Sequence, residues 1–231
     1  GGPGTPGLLC FGEHLYRLNT PTTAGGGTVR FVNKNRQLYL EDIESREDAG
    51  TPAILGKIRT ALVFKVKSEL GIAKITHREH VLFERAKERL MPNPRIHLLG
   101  NPHASRLAFL SFLVTTSKDE QLHPRFVVRL LNDLFGIQAR GGCACAGPYG
   151  HVLLGINEEQ SERYFQCALS ELESIKPGWT RLNLAPHATD EEIEFLLCAI
   201  EFVAQYGEYF LDQYEFDWNS GAWTHHTDQP A

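Results

Sequence analysis

One glycine-rich segment carries several of the residues that could do chemistry. Residues 140–151, "RGGCACAGPYGH", contain Cys143 and Cys145, with Arg140 before them and His151 after them. Glycine adopts backbone conformations that other residues avoid, so such a segment is typical of a loop that carries a side chain into a cleft. An exposed thiol near a guanidinium ionises more readily, and the thiolate is the nucleophilic form of cysteine. The segment therefore indicates a nucleophilic thiol on a loop.

Two other interpretations of these cysteines stay open at this point. A free cysteine is often a small buried hydrophobic residue with no reactive role. A Cys-x-Cys pair can also bind a metal ion, but His151 would supply only a third ligand, and no second cluster with ligand spacing follows. We therefore predict no metal site.

Arg181 is the second chemical candidate, because it interrupts an apolar strand pattern, "WTRLNLA". A charge in such a position is costly unless it is paired. An internal salt bridge would pair it, and so would a substrate carboxylate held by two parallel hydrogen bonds. The sequence pattern does not distinguish these two possibilities.

Helices and strands alternate along the part of the chain that must position these residues. The long segment from Pro52 to Gly71 has apolar residues around much of its circumference, so we expect a helix buried between two bodies. The order of the later elements predicts an α/β sandwich with helices on a sheet face. The predicted strands are 8–11, 28–32, 96–99, 106–114 and 180–184; the further predicted helices are 77–90, 123–136, 157–175 and 189–207.

Composition excludes several classes of function. The 231 residues are 42% hydrophobic and carry 23 basic and 28 acidic side chains, interspersed, for a formal charge of -5. No basic surface for nucleic acid or anionic lipid is indicated, and no apolar run approaches the roughly 20 residues of a membrane helix. The 5 cysteines are odd in number and unevenly spaced. This pattern favours a reducing compartment, the cytoplasm or an organelle matrix. The interspersed charges favour a small-molecule substrate.

Four stretches together resemble the class V aminotransferase-fold enzymes that depend on pyridoxal 5'-phosphate (PLP). They are the opening "GGPGTPG", the "EDAGTP" before the long helix, the loop "ARGGCACAGPYGH" and the ending "GWTRLNLAPHATDEEIEFLLCAIEFVA". They follow a consistent order over nearly the whole chain. The nearest resemblance is to the cysteine desulfurase or selenocysteine lyase-like branch.

The resemblance implies an α/β chain of PLP-dependent transferase fold type I. By this resemblance, residues 1–50 would end the PLP-binding large domain, 51–74 would form a connecting long helix, 75–216 the C-terminal small domain, and 217–231 a polar tail. The family's Schiff-base lysine lies just before the glycine-rich opening, and Lys34, Lys57 and Lys65 do not occupy that position. We therefore expect a C-terminal portion that is inactive alone.

The resemblance also assigns roles to individual residues. It implies that Cys145 is the nucleophile, while Cys143 departs from the commonest desulfurase pattern and leaves open which thiol reacts. Arg181 would bind the substrate α-carboxylate, with Arg140 opening the loop as in the family. The cofactor phosphate of a neighbouring subunit in a homodimer would be approached by the hydroxyl and backbone N–H groups of Thr51, Gly26 and Gly27.

The activity implied for the complete enzyme is removal of sulfur or selenium from an amino acid, with a possible sulfur-acceptor protein as partner. Two alternatives remain. One is a PLP-dependent aminotransferase or other lyase in which the loop cysteines are incidental. The other is a chain that in isolation is a non-catalytic fragment.

Overall fold

A computed structural model describes residues 2–143, 146–170 and 172–228. The described chain divides into two compact units, residues 1–72 and residues 73–231. No helix within the described residues is both long enough and apolar enough to cross a bilayer.

The first unit is built around a small hairpin and two helices. Strands β1 (Val29–Val32) and β2 (Gln37–Tyr39) pair antiparallel, helix α1 (Ile43–Glu47) follows, and helix α2 (Ile54–Leu70) confirms the predicted long helix. No residue of α2 is buried, so the expectation of a buried helix is not met in this structure. The predicted strand at residues 8–11 is wrong: that backbone is irregular, since β-favouring residues form a strand only where a partner strand pairs with them.

The second unit is a four-stranded sheet with helices. Its strands are β3 (Ile96–Leu98), β4 (Phe109–Val114), β5 (Arg140–Gly142) and β6 (Trp179–Asn183); they pair antiparallel throughout, in the order β3-β4-β6-β5. Its helices are α3 (Ile72–Leu90), α4 (Pro124–Phe135), α5 (Gly147–Leu154), α6 (Glu158–Leu169) and α7 (Asp190–Tyr206). A final hairpin joins β7 (Tyr214–Phe216) to β8 (Trp223–His225).

The hydrophobic core lies on one face of the four-stranded sheet. Strand residues alternate between faces, and Leu110, Phe112 and Leu182 point to the core face, where all three are buried. Helices α3, α4 and α7 supply the opposing side chains: Leu82, Leu90, Phe126, Leu130, Ile193, Leu197 and Ile200. The other face of the sheet is therefore available for a site.

Local sequence signals account for several element ends. Helix α7 begins with a capping box in which Thr189 and Glu192 each bond the other's backbone, as the spacing predicts. Helix α4 ends where Gly136 adopts a left-handed conformation, and α3 ends before "MPNP". Strand β4 starts at Phe109 rather than at the predicted Arg106, and the patterns did not predict β5, α5 or the β7–β8 hairpin.

Candidate functional site

The face of the sheet opposite the core carries Arg181. In β6 the neighbours Thr180 and Leu182 are buried on the core side, so Arg181 points the other way. Ser111 of β4 and Arg140 of β5 are its direct partners across the sheet. Because directly paired residues share a face, Ser111, Arg181 and Arg140 form one row across three strands.

A cavity of about 340 Å³ opens on this face. Its walls come from the sheet, from the loop between β3 and β4, and from α5. The described residues that line it include no aspartate or glutamate; they are Leu99, Gly100, Asn101, Ala104, Arg106, Phe109, Ser111, Ala146, Tyr149, Leu153, Trp179 and Arg181. Positive charge in the cavity walls is therefore not neutralised by a carboxylate of the lining.

Arg181 has no ion pair among the residues that the structure describes. Its guanidinium carbon lies 5.0 Å from the ring centre of Phe109, a cation–π distance. The internal salt bridge that would have explained this charge is thus not found. An aromatic ring supports the guanidinium but leaves its N–H donors able to bind an anion.

Cys143 and Ala146 are the described residues on either side of Ala144 and Cys145 in the sequence. Cys143 is exposed, and its carbonyl accepts a hydrogen bond of 3.1 Å from the backbone N–H of Ala146. Ala144 and Cys145 lie outside the described residues. Ala146, which directly follows Cys145 in the sequence, lines the cavity.

The glycines before the cysteines have packing roles. A Cβ on Gly141 would lie 2.9 Å from the carbonyl oxygen of Pro124, and a Cβ on Gly178 would lie 2.5 Å from Gly142 backbone. Gly142 also has a φ of +119°, which L side chains rarely adopt. Gly141 and Gly178 allow β5 to pass close to α4 and β6, whereas Gly142 is required by its backbone conformation. The sequence pattern had indicated only the conformational freedom of glycine.

His151 is engaged within the fold. Its Nδ1 lies 2.9 Å from the carbonyl oxygen of Gly147, so Nδ1 carries the proton, and its Nε2 lies 3.0 Å from the Ser161 hydroxyl, which donates to it. This links α5 to α6. Within the described residues, no group of three or more His, Cys, Asp or Glu side chains is arranged to hold a metal ion.

In the first unit the structure brings together two stretches that the sequence analysis assigned to a phosphate. The backbone N–H of Gly50 donates to the carbonyl of Gly26 at 2.8 Å, which joins the "AGGG" turn to the residue preceding Thr51. Gly27 has a φ of +86°, and no atom lies within 4 Å of a Cβ built on Gly26. Thr51 is exposed. Open glycine backbone beside a free hydroxyl fits an anionic phosphate group.

The first lysine after Thr51 has another partner: Lys57 forms an ion pair of 2.6 Å with Asp48. The chemistry at the turn is therefore that of backbone N–H groups and a hydroxyl.

Several cavity residues were missed at the level of sequence: Arg106, Phe109, Ser111, Tyr149 and Trp179. The sequence held a signal for two of them, because side chains alternate between the faces of a strand. Trp179 lies two residues before Arg181 and so shares its face, and Ser111 lies between Leu110 and Phe112, which face the core. Arg106 gave no signal, because it lies in a loop outside β4 and reaches the cavity only through the fold.

Comparison with known proteins defines the family. The profile described as "Aminotransferase class-V" matches residues 1–196. The chain belongs to this family. The relatives include a probable cysteine desulfurase of Streptomyces coelicolor, 28% identical over 206 residues, and a probable cysteine desulfurase of Xylella fastidiosa, 30% identical over 200 residues.

The matches cover most of this chain but a minor part of each relative. The Streptomyces match covers 89% of this chain and 43% of the relative, and the Xylella match covers 87% and 41%. The chain thus spans less than half the length of these curated relatives.

Solved structures show the same fold. The cysteine desulfurase CsdA from Escherichia coli superposes with a TM-score of 0.60 at 20% identity, covering 79% of this chain and 38% of the other. A cysteine desulfurase from Thermococcus onnurineus superposes with a TM-score of 0.58 at 24% identity, covering 80% and 39%. The predicted α/β fold of type I is confirmed by this similarity.

Proposed function

We propose that this chain provides the substrate-carboxylate clamp and the sulfur-accepting loop of a PLP-dependent enzyme of cysteine desulfurase type. The observation that carries the proposal is Arg181: its guanidinium lines a cavity, and no acidic side chain among the described residues pairs with it. Ala146, which directly follows Cys145 in the sequence, lines the same cavity. Membership of the class V family and relatives named cysteine desulfurase support it.

PLP, when bound, withdraws electrons from the amino acid and so makes bonds at its α- and β-carbons easier to break. In the proposal, Gly26, Gly27 and Thr51 hold the phosphate group of this cofactor, in a homodimer. The open backbone of the turn joined by the Gly50-to-Gly26 hydrogen bond supports this assignment.

The two arginines and the two loop cysteines each have a proposed task. Arg181 donates two hydrogen bonds to the α-carboxylate and so fixes the orientation of the substrate. Arg140, the cross-strand neighbour of Arg181, adds positive charge at the start of the loop. Cys145 supplies the thiolate, and Cys143, exposed and two residues earlier, is the competing thiol.

In the proposed reaction, the sulfur atom of the substrate is transferred to Cys145. The Cys145 thiolate attacks the substrate sulfur and forms an S–S bond, while the bond between that sulfur and the substrate β-carbon breaks. The electron pair of the broken bond stays with the carbon, which then takes a proton. Substrate cysteine becomes alanine, the transferred sulfur is oxidised, the carbon is reduced, and the enzyme holds a persulfide. A thiol acceptor, in the proposal a partner protein, would remove it.

A reducing compartment, the cytoplasm or an organelle matrix, is part of the proposal. All four cysteines in the described part of the chain are free, namely Cys10, Cys143, Cys167 and Cys198. Free thiols of this kind persist where glutathione and thioredoxin keep them reduced.

The test is conversion of L-cysteine to L-alanine by the protein that carries this chain, supplied with PLP. Cys145→Ala is expected to abolish persulfide formation and alanine release, while Cys143→Ala, a matched change two residues away, is expected to leave most of the activity. Persulfide on Cys145 is read directly by mass spectrometry of the intact protein.

Full alanine formation in the double variant Cys145→Ala with Cys143→Ala would contradict the desulfurase mechanism. Loss of activity in Cys143→Ala alone would show that Cys143, and not Cys145, is the nucleophile. Transamination without sulfur release from the unmodified protein would replace the proposed activity by that of an aminotransferase.

A further inference from the structure

A second guanidinium, that of Arg106, lines the same cavity as Arg181. Arg106 lies in the loop between β3 and β4, and its NH1 and NH2 groups donate to the carbonyl oxygens of Leu99 and Phe109 at 3.2 and 3.4 Å. Guanidinium has five N–H donors, so these two bonds hold the group in place and leave donors for a ligand.

The charge of Arg106 has no acidic partner within the described residues. Its partners are neutral carbonyls and two aromatic rings, with the guanidinium carbon 4.6 Å from the ring centre of Phe83 and 5.4 Å from that of Phe109. Burial lowers the pKa of Arg106 below its ordinary value, which is the direction expected for a cation that loses water without gaining a carboxylate.

The two guanidinium groups border the same aromatic ring. Their carbons lie 5.4 Å and 5.0 Å from the ring centre of Phe109, so the distance between them is at most the sum of these two distances. Two like charges in a half-enclosed cavity repel each other, and a ligand with two negative groups would relieve this repulsion. Ser111 and Asn101 add polar groups to the same walls.

We propose that Arg106 is a specificity-determining residue, which makes this cavity select amino acids with a second negative charge in the side chain. Arg181 binds the α-carboxylate and Arg106 binds the side-chain anion. The acidic amino acids meet this description, and so does cysteine in its thiolate form. The inference rests on the proposed function only for the role of Arg181.

The experiment compares L-aspartate with L-asparagine, which have the same size and differ in side-chain charge. Each is titrated into the isotopically labelled 231-residue chain, and amide shifts of the cavity residues are followed by NMR. A charge-assisted hydrogen bond contributes about 1.5–3 kcal/mol, so we expect aspartate to bind at least about tenfold more tightly than asparagine.

Three variants separate the contributions of Arg106 and Arg181 to ligand binding. Arg106→Gln is expected to remove the preference for aspartate while asparagine binds as before, and Arg106→Lys to retain part of the preference because the charge remains. Arg181→Gln is expected to weaken both ligands. Arg163→Gln is the matched control, since Arg163 is an exposed arginine of α6 that does not line the cavity.

The outcomes distinguish the two proposals. If aspartate and asparagine bind equally and Arg181→Gln weakens both, the role of Arg106 is wrong and the carboxylate clamp stands. If neither binds, or if Arg181→Gln has no effect, the clamp fails and this inference fails with it. Equal weakening of both ligands by Arg106→Gln would assign Arg106 to support of the loop alone.

Discussion

At the scale of single residues, this site is defined by two charges that have no acidic partner in the described part of the chain. Most arginines that bridge helices in the second unit have carboxylates: Arg78 pairs with Asp190, and Arg85 and Arg89 pair with Glu194. Arg106 and Arg181 have aromatic rings and carbonyls in their place. The contrast between the two sets is the physical argument for an anionic ligand.

His123 gives a prediction about pH at this scale. Its Nδ1 accepts a hydrogen bond of 3.2 Å from Trp223 Nε1–H, so its proton sits on Nε2, which donates to the Ser174 carbonyl at 3.1 Å. Burial lowers the pKa of His123, the Ser174 carbonyl raises it, and the nearby Arg125 lowers it, with a net downward direction. The neutral ring is therefore the form that the folded state stabilises.

Because the pKa of His123 is lower in the folded state, the unfolded chain binds more protons near pH 6. We expect its contribution to stability to be complete above the ordinary histidine value of about 6.5 and to be lost as the pH falls below it. The free energy of unfolding is measured by urea denaturation between pH 8 and pH 5. His123→Asn, which keeps an acceptor for Trp223 but cannot titrate in this range, should flatten the pH dependence.

His187→Gln, a change at an exposed histidine, is the control and should keep the slope of the unmodified chain. An unchanged slope in His123→Asn would show that other groups cause the pH dependence.

At the scale of elements, α5 forms part of the wall of the cavity on the sheet. Tyr149 and Leu153 of this helix line the cavity, and Gly150 lies against the ring of Trp179. Trp179 is buried, and none of the described residues accepts a hydrogen bond from its Nε1. The position of α5 on this face therefore depends on close contact between a glycine and an indole.

Gly150→Ala tests this contact. Its Cβ would lie 3.1 Å from Trp179 Cζ3, so the ring or the helix must shift. Overpacking costs about 1–3 kcal/mol, against a gain of up to about 1 kcal/mol from helix propensity. In Gly147→Ala, a change in the same helix, the added Cβ would have no atom within 4 Å, so this variant should not destabilise the chain.

We expect Gly150→Ala to be less stable than Gly147→Ala by about 1–3 kcal/mol in chemical denaturation, with a change in tryptophan fluorescence. Equal stabilities would show that α5 adjusts its position freely.

At the scale of the whole molecule, the two units differ in what stabilises them. All the buried hydrophobic residues of the described chain lie between Leu82 and Tyr214, in the second unit. In the first unit Thr28 is the one buried residue among those described, and α2 exposes large side chains such as Leu55 and Phe64. Exposed apolar surface of this extent is typical of an interaction surface.

The second unit should therefore fold by itself. A chain of residues 73–231 is expected to unfold cooperatively with a Tm within about 2–4 °C of the 231-residue chain, the shift that 1 kcal/mol produces at this size. Circular dichroism during heating measures both. The control deletes residues 217–231, which removes Trp223 from its 4.5 Å contact with Phe126, and should lower the Tm. A large loss of Tm in residues 73–231 would contradict the assignment of the core.

The sequence by itself determined the elements whose signals are local. The capping box at Thr189, the glycine stop at Gly136 and the helical spacing in residues 189–207 act over a few residues, so they are readable from composition and period. Ile193, Leu197, Ile200 and Ala204 recur in the sequence with helical spacing, and all four are buried on one side of α7, since a 3.6-residue period depends on no distant partner. The resemblance to class V aminotransferases was likewise carried by short motifs, and the family match confirms it.

Only the tertiary structure decided which charged side chains line the same cavity. Arg106 and Arg181 are far apart in sequence, and no local pattern states that one phenylalanine ring lies near both guanidiniums. The hairpin β7–β8 likewise exists because Trp223 packs against α4, which lies about a hundred residues away. Such contacts depend on the packing of the whole unit, where strand pairing and burial place distant side chains in one cavity.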